Sequence, residues 1–241
     1  MAGTLRPSTE SVLAIPGLSG SSRLVHGFST ASLGSMRGTG TSALTPSRAA
    51  FAAALGLPPE HLTVVGAVHG RRVERVDGPS GVVPGCDALV TDRPGLPLLA
   101  TFADCNPVLL LDPVRGALGL AHAGWRGAAA GVVGETVARL GEEYGSRPAD
   151  LLVGLGPAIC GRCYEVGEEV AAVFPPEYAV PGRQGRFLLD LRSALHGQLA
   201  AAGVPEGQIY DLDVCTKETP ELASHRRSPD GVRFACLAAL T

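Results

Sequence analysis

Three polar side chains interrupt apolar runs in the middle of this 241-residue chain, and their types are those that bind soft metals. His69 closes Val64-Val65-Gly66-Ala67-Val68. Asp104, Cys105 and Asn106 separate the run that begins at Leu98 from Val108-Leu109-Leu110-Leu111. His122 lies inside Ala117-Leu-Gly-Leu-Ala-His-Ala-Gly124. A buried polar group needs a partner, and sites on α/β scaffolds gather at strand ends and the turns after them. One thiol and two imidazoles brought together would hold a metal with a fourth position open, as in catalytic rather than closed structural zinc. Thirty-five residues lie between His69 and Cys105, and sixteen between Cys105 and His122, so there is no local ligand motif. Spacing alone favours two satisfied core histidines and a thiol used as a small apolar filler, and it is the basic groupings nearby that tilt the reading toward a site.

Basic groups form a second set. Trp125-Arg126-Gly127 follows His122 at the predicted start of a helix, where free N–H groups suit an anion. Arg226 and Arg227 in Ser224-His225-Arg226-Arg227 add two guanidiniums suited to phosphate. Cys160-Gly-Arg-Cys163 is a C-x-x-C with no second cysteine pair for a zinc site. It is expected to be two loop or core thiols, as are Cys86, Cys215 and Cys236. Phosphate-loop, nucleophile-elbow and H-E-x-x-H signatures are absent.

The elements that must position these groups follow from composition and pattern. Apolar residues make up 45% of the chain and charged residues 18%, enough for a full core and incompatible with general disorder. The net charge of −3 argues against nucleic acid and anionic membranes as partners. No signal-like or membrane-spanning run is present, and six cysteines are too sparse for a disulfide scaffold, so a reducing, cytoplasmic setting is expected. Short β-like runs are predicted over 62–68, 87–91, 98–103, 108–111, 117–123, 151–155, 209–214 and 234–240. Helices are predicted from an N-cap at Ser47, over 127–144, over 166–174 and over 190–202. Residues 29–46 read as a loop or lid. The expected fold class is α/β (α+β): a single domain with mixed sheets.

Asp87-Ala-Leu-Val-Thr91, Ala103-Asp104-Cys105-Asn-Pro107 and His122-Ala-Gly-Trp-Arg-Gly127 resemble the YfiH-like proteins. That family has been called both multicopper polyphenol oxidoreductases (laccase domain) and purine nucleoside phosphorylases. His26-Gly-Phe-Ser-Thr30, Val68-His69, Gly156-Pro157-Ala-Ile159, Tyr164-Glu-Val-Gly167, Cys215-Thr216 and Ser224–Arg227 extend the likeness from His26 nearly to the end. The resemblance implies a sandwich of two mixed sheets flanked by helices, with an N-terminal segment over 1–25 and one catalytic domain over 26–241. It implies zinc on His69, Cys105 and His122, with copper as the alternative. It also implies phosphorolysis of adenosine, inosine, guanosine and methylthioadenosine, with adenosine deamination as a second activity. Ala31-Ser-Leu-Gly34 and Ser47-Arg48 stand where the family usually has an Arg, a Gly-Gly-x-Ser-type loop and an Asn-Arg pair.

On this reading the partners are a purine nucleoside and phosphate, and a monomer is the working expectation. Arg48, Arg126, Arg226 and Arg227 are the candidates for phosphate. Zinc lowers the pKa of water, which suits attack at C6 of adenine. Asp104, beside Cys105, either moves a proton or holds the turn as a carboxylate supporting a ligand. Two other chemistries fit the same residues. A copper phenol oxidase would need more imidazoles than six histidines readily supply, and a blue-copper site wants an axial Met, of which the chain has only Met1 and Met36. A metal-free hydrolase would use Cys105 as nucleophile with His69 or His122 as base, an amidase of the peptidoglycan-editing type being one form. A non-enzymatic binding module would leave the polar trio unexplained.

Overall fold

The computed structural model describes residues 11–38 and 42–241. Part of the expected 29–46 loop, and residues 1–10 of the N-terminal segment, lie outside the described residues. Two six-stranded mixed sheets stack face to face. The first runs, in spatial order, β1 (Val12–Leu13), β2 (Leu24–Ser29), β15 (Phe234–Leu240), β7 (Leu98–Phe102), β3 (Thr63–Gly66) and β5 (Gly81–Pro84). The second runs β14 (Ile209–Asp211), β10 (Leu152–Leu155), β8 (Asn106–Asp112), β9 (Ala117–Ala123), β6 (Ala88–Thr91) and β4 (Val73–Arg75). A small antiparallel sheet of β11 (Glu165–Val166), β13 (Phe187–Leu189) and β12 (Ala179–Pro181) lies apart from them in the hydrogen-bonding pattern.

The alternation of side chains along the central strands explains the layers. On β8 and β9, Leu109, Leu111, Leu118 and Leu120 pack between the sheets with Phe28, Leu98, Phe102 and Ala238. Val108, Leu110, Ala117 and Ala121 point the other way, onto α4 (Val132–Tyr144) and α6 (Leu191–Ala201). Every residue of both strands is buried, so they read as continuous apolar runs instead of alternating ones. Phe51 and Ala52 of α2 (Pro46–Ala54) cover the outer face of the first sheet through Leu99, Ala235 and Leu237. The result is the expected sandwich of two mixed sheets flanked by helices. Truncating a central leucine such as Leu120 to Ala should cost about 2–5 kcal/mol.

Several local expectations change. Thr45, not Ser47, caps α2, its hydroxyl accepting from the Arg48 N–H at 3.3 Å, with Pro46 in the first turn. The helix expected over 127–144 is two helices, α3 (Trp125–Ala129) and α4, because Gly131 adopts φ +85°, left-handed and incompatible with a continuous helix. The helix expected over 166–174 shrinks to α5 (Glu168–Ala171), since Glu165 and Val166 pair with Leu188 and Phe187 instead. Residues ahead of 26 join the fold: α1 (Pro16–Ser19) brings Leu18, with Ile15, into the core between the sheets, so the expected boundary after residue 25 falls inside β2.

Candidate functional site

The three predicted ligands converge from three different segments. Strand β3 ends at Gly66, and His69 follows in an exposed turn. Cys105 lies in the connection between β7 and β8 and is half-buried. His122 is the penultimate residue of β9 and is buried, against Phe102 at 5.3 Å between ring centroids. The His69 and His122 rings are 4.9 Å apart, and one donor atom from each of His69, Cys105 and His122 lies within 4.8 Å of the others. Tetrahedral zinc with Zn–S near 2.3 Å and Zn–N near 2.05 Å would hold such atoms about 3.4–3.6 Å apart, so a modest contraction closes the site. His69 and Asp104 have φ of 61° and 86°. Left-handed backbone at non-glycine residues is sparsely populated and gathers at functional sites.

Asp87, which sequence reasoning did not single out, organises this trio. It is fully buried between Cys86 and β6. Its Oδ1 accepts the His69 N–H at 2.9 Å and faces His122 Nδ1 at 3.1 Å. Its Oδ2 accepts the N–H groups of Gly70 at 2.7 Å and Val68 at 3.2 Å. One carboxylate therefore shapes the His69 turn and engages Nδ1 of His122, which leaves Nε2 for the cleft. Burial works to raise Asp87, but His122 and the N–H donors outweigh it and hold the carboxyl below its usual range. The signal in the sequence was an acidic residue immediately before an apolar strand, within one of the motifs that carried the resemblance.

The electrostatics couple Cys105 to His122. Burial opposes both charges, yet each charge favours the other: the thiol is brought down to about 6 by His122 and His69, and His122 is raised to about 9 by Cys105 and Asp87. In the absence of metal the two groups thus favour each other's charged forms. Gly124 leaves room for Cys105 and His69, because a Cβ there would come within 2.9 Å of Cys105 Sγ and 3.0 Å of His69 Nδ1.

Asp104 spends its carboxylate inside the protein. Oδ1 accepts from the Thr216 hydroxyl at 2.7 Å and Oδ2 from the Arg226 N–H at 2.6 Å. That is the turn-holding arrangement of the two roles considered for it.

The trio lines a cleft of about 560 Å³ with Asp104, Trp125, Arg126, Tyr164, Arg226 and Arg233 among its walls. Arg126 stacks on Trp125 at 4.4 Å, and Arg226 on Tyr164 at 5.2 Å. Stacking orients a guanidinium while leaving most of its N–H donors free for an anion. Arg233 and His225 join this wall, although neither was put forward as a ligand-binding residue. The other two predicted arginines are committed elsewhere. Arg48 is buried, with Nε on the Met36 carbonyl and Nη1 on the Ala43 carbonyl, both at 2.9 Å, so it braces the loop before α2. Arg227 reaches the Thr216, Lys217, Thr219 and Leu222 carbonyls and holds that turn. Neither is among the residues lining the cleft.

Comparisons with known proteins agree with this architecture. A model of the family described as multi-copper polyphenol oxidoreductase laccase matches residues 19–240. Purine nucleoside phosphorylase ORF3 of Streptomyces griseus is 42% identical over 211 residues, 84% of each chain. Purine nucleoside phosphorylase YlmD of Geobacillus stearothermophilus is 37% identical over 217 residues, 83% of this chain and 79% of its own. The crystal structure of Bacillus licheniformis hypothetical protein YfiH matches with TM-score 0.87 at 28% identity, covering 98% of both chains. That of YlmD from Geobacillus stearothermophilus matches with TM-score 0.84 at 30% identity and the same coverage. This chain belongs to the laccase-like YfiH family.

Proposed function

We propose that the chain is a purine nucleoside phosphorylase whose cleft holds one zinc ion on His69, Cys105 and His122. The observation that carries this reading is the joining, in one cleft, of a thiol–imidazole donor set to a wall of three guanidiniums, Arg126, Arg226 and Arg233. Among the described residues none of the three forms a salt bridge with a carboxylate; Nη1 of Arg226 donates to the Glu165 carbonyl and Nη1 of Arg233 to the Val232 carbonyl, and the remaining N–H groups are available to a substrate anion. The names of the Streptomyces and Geobacillus relatives support the same activity. Phosphate is held by the arginine wall. The purine lies along the parts of Trp125 and Tyr164 that line the cleft and that the stacked guanidiniums leave uncovered. Adenosine, inosine, guanosine and methylthioadenosine are the substrates of this reading, and adenosine deamination is its second activity.

Zinc fits the donor set better than a blue-copper centre does. Met36 is buried with Phe51 on the far face of the first sheet, so it offers no axial sulfur. Bound zinc would supply Lewis acidity toward an oxygen or nitrogen in the cleft. The chain's own residues do the rest: Asp87 orients His122 and the His69 turn, Asp104 holds the Cys105 turn, and the stacked arginines position the anion. No helix among the described residues is long and apolar enough to cross a membrane. A cytoplasmic location belongs to this reading.

The test is incubation of metal-analysed protein with adenosine, with and without phosphate. Phosphate-dependent adenine is expected, with inosine as a further product; absence of adenine would refute phosphorolysis. The Cys105–His122 pair favours one second reading, a metal-free cysteine hydrolase, because a depressed thiol beside a raised imidazole is an activated nucleophile. Turnover of an acyl probe through a covalent adduct at Cys105, in protein stripped of metal, would establish it.

A further inference from the structure

Away from the trio, the fold assembles another set of soft donors. Cys160 and Cys163 occupy the turn after β10, and Cys215 and Glu218 the turn after β14. Each pair is spaced i, i+3, so the sequence reads C-x-x-C and, 52 residues after Cys163, C-x-x-E. The second half was missed because its last member is a carboxylate. The two turns are joined by a parallel bridge between Ala158 and Cys215, with Ala158 N–H on the Val214 carbonyl at 3.1 Å and Thr216 N–H on the Ala158 carbonyl at 3.0 Å. Each turn is closed on itself: Cys163 N–H donates to the Cys160 carbonyl at 2.9 Å, and Glu218 N–H to the Cys215 carbonyl at 3.2 Å. Paired i, i+3 donors on two facing turns are the usual construction of a closed zinc site.

We propose that Cys160, Cys163, Cys215 and Glu218 form a second, structural zinc site. One donor atom from each lies within 4.8 Å of all the others. Three sulfurs and one carboxylate select zinc over magnesium or calcium, which prefer all-oxygen shells. Four protein donors leave no open position, which makes the site structural. The surroundings are those of a metal site as well. Arg162 grips the Glu218 carboxylate through Nε at 2.9 Å and through Nη2, fixing its orientation. That guanidinium also offsets part of the charge of three thiolates and a carboxylate around a dication. The Cys160 N–H points at Cys215 Sγ at 3.4 Å, and Cys163 Sγ lies 3.4 Å from Glu218 Oε1, so the two turns already meet through their donor atoms.

The site would stiffen the active cleft from behind. Ile159, just before Cys160, donates its N–H to the Asp104 carbonyl at 3.0 Å, and Thr216, just after Cys215, donates its hydroxyl to the Asp104 carboxylate. These two supports of the turn carrying Cys105 thus hang on the two segments that the metal would tie together, beside the third from the Arg226 N–H.

Metal counting tests this independently of any activity. Protein purified from zinc-supplemented cells should carry two zinc ions per chain, C105A one and C163S one, while C105A/C163S should carry none. Cobalt added to apo C105A should give an intense near-ultraviolet thiolate band that is lost in C105A/C163S. Should C163S fail to fold, E218Q replaces it: it preserves shape and should weaken the zinc retained by C105A at least tenfold in chelator competition. The proposal is overturned if wild-type protein binds a single zinc that C105A loses. It is equally overturned if an intact mass two hydrogens light maps a disulfide to Cys160, Cys163 or Cys215 in zinc-supplemented protein.

Discussion

Replacing Asp87 by Asn probes the cleft most directly, because one carboxylate serves four donors. Val68 and Gly70 bond to Oδ2, and His69 and His122 engage Oδ1. The amide keeps a single oxygen, so whichever way it sits, two donors face its NH₂ group. Hydrogen bonds to a charged acceptor contribute about 1.5–3 kcal/mol each, so losing two should destabilise the fold by about 3–6 kcal/mol. Total stabilities run about 5–15 kcal/mol, so D87N should fold with a lowered melting temperature. His122 loses a group that raises it, and Cys105 in turn loses part of the imidazolium that lowers it. Zinc affinity should fall about 10–100-fold, the usual cost of removing a carboxylate that orients a ligating histidine. Two assays read this: competition for zinc against a chelator, and the pH dependence of Cys105 alkylation in metal-free protein, whose midpoint should move up from about 6. Zinc affinity within twofold of wild type, with an unmoved alkylation profile, would refute Asp87 as the organiser of the trio.

Three further outcomes follow from the same geometry. Gly124→Ala should reduce zinc affinity more than tenfold with little loss of melting temperature, since the backbone there (φ −76°, ψ 170°) accepts alanine but its Cβ would press on Cys105 and His69; unchanged zinc binding by chelator competition would show that the donors spread freely. Burial pushes His26 down from 6.5 to about 4 while its Nε2 accepts the Ile15 N–H at 3.0 Å. Its contribution to stability is therefore complete above pH 6.5 and is lost as pH falls toward 4, by about 3 kcal/mol at 1.36 kcal/mol per unit; urea midpoints at pH 7.5 and 4.5 should converge in H26N relative to wild type, and an equal acid loss in both would exclude His26. R226A should raise the KM for phosphate at least tenfold with a small change in melting temperature, whereas R227A should lower the melting temperature first, because the Arg226 guanidinium reaches one main-chain carbonyl, that of Glu165, and Arg227 reaches four; the reverse pattern in steady-state kinetics and thermal melts would refute the assignment.

The long, fully buried strands and the strongly periodic helices were legible in the chain. β9 and β15 span the residues expected, and α4 and α6 keep their apolar faces, with Val133, Val137 and Leu140 on one and Leu191, Leu195 and Leu199 on the other. The strands Glu165–Val166 and Val73–Arg75 were not legible, because so short a segment has no period and forms only where a neighbour offers hydrogen bonds. The arginines divide for a similar reason. Arg126 and Arg48 look alike as residue types, and only their surroundings leave one guanidinium in the cleft and enclose the other among carbonyls.

By itself, the sequence determined the donor chemistry: a thiol and two imidazoles at breaks in apolar runs, and a surplus of arginine near two of the motifs. Tertiary structure alone decided which groups meet. Strand pairing brought His122 beside Asp87, whose carbonyl accepts the His122 N–H at 2.7 Å, and one parallel bridge brought Cys160 and Cys163 against Cys215 and Glu218. Ligand sets are contacts across dozens of residues, and sheet register, which places side chains from distant segments on one face, is set by the packing of the whole core rather than by local sequence.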